Sequence, residues 1–210
     1  MSYDPNDPTS TRPPYLGARY AAARDLSAVM TPSPRPSQFR PFIPYTLVYV
    51  RSAKGLEVQN DSLAPGALLW QNNTDAEAAA QQFRFEDAGN GFWYLRTHAG
   101  NLYMTADPAM KITQNAKYLQ GGPGGNDPDT QRWKLTSGIT PGTGFMITNA
   151  AYPAKTLQPA GNSSNPGAPI VLGDPEPAPA GGVTHVKNAW QVTSPSLAGM
   201  QTIPAQPRPN

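Results

Sequence analysis

From Tyr45 to Val192 short apolar runs recur in one order, separated by turn residues. Three stretches open on an aromatic-rich run: Tyr45-Thr46-Leu47-Val48-Tyr49-Val50, Phe92-Trp93-Tyr94-Leu95 and Phe145-Met146-Ile147-Thr148. Each continues with a short leucine-bearing run, Leu56-Glu57-Val58, Leu102-Tyr103-Met104 or Leu157-Gln158. A third run follows, Leu68-Leu69-Trp70, Tyr118-Leu119 or Ile170-Val171-Leu172. Each stretch then closes on an aromatic, one intervening residue and a hydrophobe: Phe83-Arg84-Phe85, Trp133-Lys134-Leu135 and Trp190-Gln191-Val192. Runs this short, with alternating polarity, predict strands rather than helices. Four strands returning in the same order predict internal repetition.

Turn chemistry fits between the runs. Ala53-Lys54-Gly55, Ala99-Gly100-Asn101, Gly121-Gly122-Pro123-Gly124-Gly125 and Pro141-Gly142-Thr143-Gly144 supply the residues that tight reversals need. Repeats whose strands cannot bury an apolar face singly must close on one another, and a closed barrel removes exposed edges. Composition agrees, because 25 Pro and 19 Gly in 210 residues interrupt helical ladders. The fold class expected is all-β, in three four-stranded repeats over about 44–90, 91–143 and 144–193.

Two Pro-rich arms flank this block. Residues 1–43 contain Asp4-Pro5-Asn6-Asp7-Pro8, Arg12-Pro13-Pro14 and Thr31-Pro32-Ser33-Pro34-Arg35-Pro36, an extended composition that cannot build its own core. Within it Ala18 to Met30 lacks Pro and could form one short helix over 18–30. Residues 194–210 form a second Pro-rich tail. So much tail exceeds what one small barrel can cover. Other protein subunits are the partners expected for residues 1–43 and 194–210.

Charge and chemistry narrow the function. Net charge is +2 with no basic run, so no nucleic acid is expected as a partner. There is no Cys, which excludes disulfides, thiolate metal sites and Cys nucleophiles. His98 and His185 stand alone, without carboxylates at metal-ligand spacing, and no metal or cofactor is expected. No Gly-x-Ser-x-Gly elbow and no suggestive carboxylate pair point to catalysis, so the chain reads as a non-enzyme. No run approaches a membrane span and the start lacks a signal-peptide pattern, so a soluble protein is expected.

The unit Gly55-Leu56-Glu57-Val58-Gln59-Asn60, Pro65-Gly66-Ala67-Leu68-Leu69-Trp70 and Gln81-Gln82-Phe83-Arg84-Phe85 resembles the repeat of ricin-B-type β-trefoil lectins. Gln131-Arg132-Trp133 and Asn188-Ala189-Trp190 repeat its close, and Asn165-Pro166-Gly167-Ala168-Pro169-Ile170 resembles its turn into the third strand. The resemblance covers about residues 44–193 and implies a β-trefoil that binds a glycan or glycoconjugate. It implies a site with an acid after the second-strand leucine, an aromatic near the end of the third strand and nearby side-chain amides. Carried onto this sequence, the acid is Glu57 and the aromatic Trp70, with Asn72, Asn73 and Gln81 as amides. Trp70 falls about two positions before the ring of the family pattern. The second unit places Tyr103 where the acid belongs. The third places Gln158 there and Gly173 near the ring position, so one site at most is intact.

Each of these residues also has a plainer role available. Trp70 can be core, Glu57 can lie on a solvated strand face, and Gln81, Gln131 and Asn188 can satisfy loop backbone. Phe83, Trp133 and Trp190 read as core. Three functions follow: a lectin-like module displayed on a larger assembly by its arms; a structural or decoration protein of a virion, filament or surface layer whose trefoil has lost sugar binding; and a protease inhibitor working through Gly121 to Asp129.

Overall fold

Alternating side chains along each run leave one apolar face per strand, and a computed structural model shows how those faces are buried together. It describes residues 39–40, 42–120, 126–137, 144–176, 188–194 and the backbone of 201–202. Among these residues thirteen strands are joined by turns and short 3-10 segments, with no α-helix. No helix among them is long and apolar enough to cross a membrane.

Six strands form a closed ring. Strands β1 (Tyr45–Tyr49), β4 (Gln82–Asp87), β5 (Trp93–Thr97), β8 (Trp133–Ser137), β9 (Phe145–Asn149) and β12 (Ala189–Ser194) pair antiparallel in that order. Strand β12 then returns to β1, with Leu47 opposite Val192 and Tyr49 opposite Trp190. Three hairpins stand on this barrel: β2 (Lys54–Val58) with β3 (Leu69–Asn73), β6 (Tyr103–Ala106) with β7 (Ile112–Asn115), and β10 (Thr156–Pro159) with β11 (Ile170–Gly173). Bridges Leu68–Thr113, Lys111–Val171 and Trp70–Pro169 join each hairpin to the next in a triangular layer. A six-stranded barrel closed by three hairpins is a β-trefoil.

The core repeats with the chain. Leu47, Leu95 and Ile147 are equivalent and fully buried, as are Leu56, Met104 and Leu157 on the second strands. Phe83, Trp133 and Trp190 are also fully buried, as their spacing implied. The two indoles add a bond that Phe83 lacks: Trp133 Nε1 donates to the Met104 carbonyl and Trp190 Nε1 to the Leu157 carbonyl, each at 2.9 Å. Closing strand and hairpin base are thereby fastened together. Gly144 enters β9 at φ 98°, where a Cβ would sit 2.6 Å from the Trp190 carbonyl oxygen. Only glycine fits that approach.

One expected strand is misplaced. The third strand of the second repeat is Ile112–Asn115, not Tyr118-Leu119. Leu119 is 68% exposed and lies in the loop that follows. The reason is Gln114, fully buried where the third repeat has Leu172 and where an apolar residue would signal the strand. Its Nε2 donates to the Ser62 and Ala64 carbonyls, at 2.7 and 3.1 Å. Gln71, at the same position of the first repeat, donates to the carbonyls of Ser163 and Asn165, both at 2.8 Å. Two buried amides thus bind turns of neighbouring repeats, a polar equivalent of core packing.

The helix expected over 18–30 lies outside the described residues, as does the rest of 1–38. Phe39, within the stretch read as an arm, is buried and stacks on Phe85 with ring centroids 3.9 Å apart. Tyr45 and Trp93 meet it edge-on. Within 194–210, Gln201–Thr202 form β13, which pairs with Thr193 and Ser194.

Candidate functional site

Strand β2 turns Leu56 and Val58 into the core, so Glu57 must face the other way. It is nonetheless only 8% exposed, because β3 and the segment before β4 cover it. Cross-strand register sets Glu57 opposite Trp70 and Gly55 opposite Asn72. Three side chains converge on the carboxylate. Trp70 Nε1 donates to Oε1 at 2.8 Å, Asn72 Nδ2 donates to the same oxygen at 3.1 Å, and Gln81 Nε2 donates to Oε2 at 2.7 Å.

Gln81 is the keystone of this arrangement. Its Nε2 also donates to the Asn73 carbonyl at 2.7 Å, while its Oε1 accepts from the Asp75 backbone N–H at 2.9 Å. A Cβ on residue 55 would run into Gln81 Oε1, so Gly55 makes the room this amide occupies. Asn73 stands at the rim, where its Oδ1 accepts from Lys54 Nζ at 2.8 Å. The structure therefore brings together Glu57, Trp70, Asn72 and Gln81, with Asn73 joined through its backbone. Trp70 is half-buried and is not core.

A carboxylate offers about four lone-pair positions, and three are taken by protein donors. One acceptor remains for a ligand hydroxyl, fewer than the pair that vicinal hydroxyls require. The ring expected two positions beyond Trp70 is Asn72 in this chain, so a flat stacking face is missing where the family pattern puts one.

Among the described residues the other repeats lack this constellation. Opposite-strand pairs show Thr105 facing Thr113 and Gln158 facing Val171 where the first repeat has Glu57 and Trp70. The residue equivalent to Glu57 in the second repeat is thus Thr105, not Tyr103. Leu102 precedes the strand, and Met104 fills the inward position. A better signal lay in the closing amide, since Gln131 Nε2 donates to Thr105 Oγ1 at 3.0 Å, just as Gln81 reaches Glu57. Gln131 and Asn188 hold loop and strand groups: Gln131 bonds the Ala116 carbonyl and the Tyr118 N–H, and Asn188 bonds Thr156 Oγ1.

Elsewhere, Tyr103 donates its hydroxyl to Glu86 Oε2 at 3.0 Å. Burial, and then this bond to the carboxylate, push its phenol above the ordinary value. A cleft of about 490 Å³ lies beside Tyr94, Lys117, Tyr118, Asp127, Asp129 and Arg132, and none of the five candidate residues lines it. Of the loop Gly121 to Asp129, residues 121–125 lie outside the described residues, and Asp127 caps the turn that follows by accepting from the Asp129 N–H at 2.9 Å. Among the described residues no three His, Asp or Glu side chains gather as a metal site would require.

Comparison with known proteins bears on both fold and sequence. Among curated proteins none matches this sequence. The designed three-fold symmetric protein ThreeFoil superposes with a TM-score of 0.56 at 23% identity, over 71% of this chain and 96% of its own. The C-half of the earthworm R-type lectin, solved with GalNAc, gives 0.53 at 12% identity over 72% of this chain and 98% of its own. An exo-β-1,3-galactanase from Clostridium thermocellum gives 0.57 at 19% identity over 72% of this chain, which spans only 30% of that enzyme. These likenesses establish the fold. The sequence pattern of the ricin-type β-trefoil lectin domain-like family matches residues 42–121, the first repeat and the hairpin of the second. Residues 42–121 thus match the ricin-type β-trefoil lectin domain-like family, and the barrel that contains them is a β-trefoil.

Proposed function

We propose that this chain is a non-catalytic carbohydrate-binding module with one working site, in the first repeat, displayed on a larger assembly through residues 1–43 and 194–210. The observation that carries this reading is the carboxylate of Glu57. It is held in place by Trp70, Asn72 and Gln81, whereas the equivalent positions carry Thr105 and Gln158. Three fixed donors orient its remaining lone pair before a ligand arrives, so little ordering cost attends binding. Asn72 and Asn73 add amide groups at the rim. The acid, the indole edge and the amides together suit a hydroxyl-bearing ligand.

A second reading, a structural block that no longer binds sugar, is favoured by that same saturation. An acid 8% exposed with three internal bonds also serves simply to tie β2, β3 and the start of β4 together. A broad glycan array with wild type and Glu57→Ala separates the two. Binding by wild type that disappears in the variant supports the module. A blank array for wild type, with Glu57→Ala losing only stability, supports the structural block.

A further inference from the structure

Four buried side-chain atoms among the described residues lack a hydrogen-bond partner: Arg84 Nε, His98 Nδ1, Gln114 Oε1 and Arg132 Nε. Two of these belong to groups that are otherwise engaged. Gln114 bonds two carbonyls through Nε2, and Arg132 NH1 bonds Asp129 Oδ1 at 2.7 Å. Arg84 and His98 are different, because no side-chain hydrogen bond or ion pair among the described residues involves either. They are neighbours. In the β4–β5 ladder Arg84 lies opposite Arg96, and the His98 N–H donates to the Gln82 carbonyl at 2.8 Å. Since Phe83, Phe85, Leu95 and Thr97 point inward, the alternate residues Arg84, Arg96 and His98 share the outer face.

This face has one acid to balance its cations. Glu86 is engaged by Arg96 at 3.2 Å, by Lys117 at 3.9 Å and by the Tyr103 hydroxyl. Among the described residues no acid pairs with Arg84. Two arginines directly opposite each other in a ladder repel, and a buried guanidinium Nε–H without a partner is costly. Burial and the Arg84 charge both hold His98 below its ordinary value. An anion seated between Arg84 and His98 would remove both costs, receiving charge-assisted hydrogen bonds from the guanidinium and the imidazole.

We propose that the outer face of β4–β5 carries an oxyanion site, formed by Arg84 and His98 with Arg96 beside them, which takes a tetrahedral group such as sulfate, free or carried on a saccharide. The site is separate from Glu57 and stands whether or not Glu57 binds a neutral sugar.

The probe is sodium sulfate, titrated against sodium chloride at matched ionic strength so that general screening cancels. The readout is the NMR signals of the His98 ring and the Arg84 Nε–H. Saturable shifts in the folded full chain are expected, with affinity at least tenfold weaker in Arg84→Gln and also weakened in His98→Gln. Galactose 6-sulfate and galactose are then compared in wild type and Glu57→Gln. Tighter binding of the sulfated sugar than of sulfate, retained in Glu57→Gln, identifies a saccharide-borne group. Equal binding of the two identifies the oxyanion alone. Shifts that never saturate, or that persist unchanged in both Arg84→Gln and His98→Gln, overturn the site. Loss of galactose binding alone in Glu57→Gln concerns the first-repeat site and leaves this one standing.

Discussion

Glu57 gathers two donors that the β2–β3 register sets beside it, Trp70 and Asn72, and a third, Gln81, from outside that ladder, and this shapes what substitution there should do. Glu57→Gln preserves size but places an amide N–H among the N–H groups of Trp70, Asn72 and Gln81. A buried donor left facing donors costs about 1–3 kcal/mol, so its urea midpoint should fall measurably below wild type. Gly55→Ala should act on the same network from the other side, by displacing Gln81 Oε1. Its expected signature is loss of saccharide binding with the indole–carboxylate contact retained, checked by comparing affinity with the Trp70 Nε1–H signal. That Glu57, Trp70, Asn72, Asn73 and Gln81 lie together could be read in advance. What each contacts could not, because Trp70 as core and Trp70 as donor to Glu57 give the same letter in the chain.

At the scale of elements, the legible parts were those whose inward positions are apolar. Strands β1, β4, β5, β8, β9 and β12 announce themselves through Leu47, Phe83, Leu95, Trp133, Ile147 and Trp190, all fully buried. Strand β7 does not, since Ile112-Thr113-Gln114-Asn115 carries a buried amide at the decisive inward position. Tyr118 and Leu119 are the more apolar pair, yet they fall in a loop beyond the hairpin. The register of β6 was lost for a related reason: Leu102 precedes the strand and Met104 fills the core. Phe39 carries no signal in the sequence, because its Pro-rich surroundings mask one buried ring. The amide in β7 gives a test. Gln114→Leu copies Leu172 of the third repeat but strips the Ser62 and Ala64 carbonyls of their donor. Destabilisation of about 1–3 kcal/mol is expected by urea denaturation, despite the gain in hydrophobicity.

Across the whole molecule, barrel closure makes the three repeats depend on one another. Trp133→Ala or Trp190→Ala removes a fully buried indole and its bond to a hairpin base, and should cost about 3–5 kcal/mol. Two groups shifted on opposite sides of neutrality give stability a pH dependence. His98 lies below its ordinary 6.5 through burial and the Arg84 charge, so its neutral form is the one the fold favours. Its contribution is complete above about pH 6.5 and is lost as pH falls through the lower folded value. Arg84→Gln should shrink that acid-side loss, measured as the urea midpoint against pH beside His98→Gln. Tyr49 is pushed up to about 12 by burial, with Glu176 adding to the rise and Arg51 opposing it. Its contribution holds below pH 10 and is lost as pH rises toward 12, an alkaline step that Tyr49→Phe should remove.

With one acid constellation among the described residues of the three repeats, the proposed reading predicts one saccharide at a Glu57-type site per chain. The most direct test is a titration of the full-length chain with a saccharide selected by the array, following backbone amide NMR signals. The expected result is a single saturable site, with shifts concentrated in Gly55–Val58, Trp70–Asn73 and Gln81, and absent in Glu57→Ala. Shifts centred instead on Thr105 and Thr113 or on Gln158 and Val171, or a second equivalent site, would contradict a site confined to the first repeat.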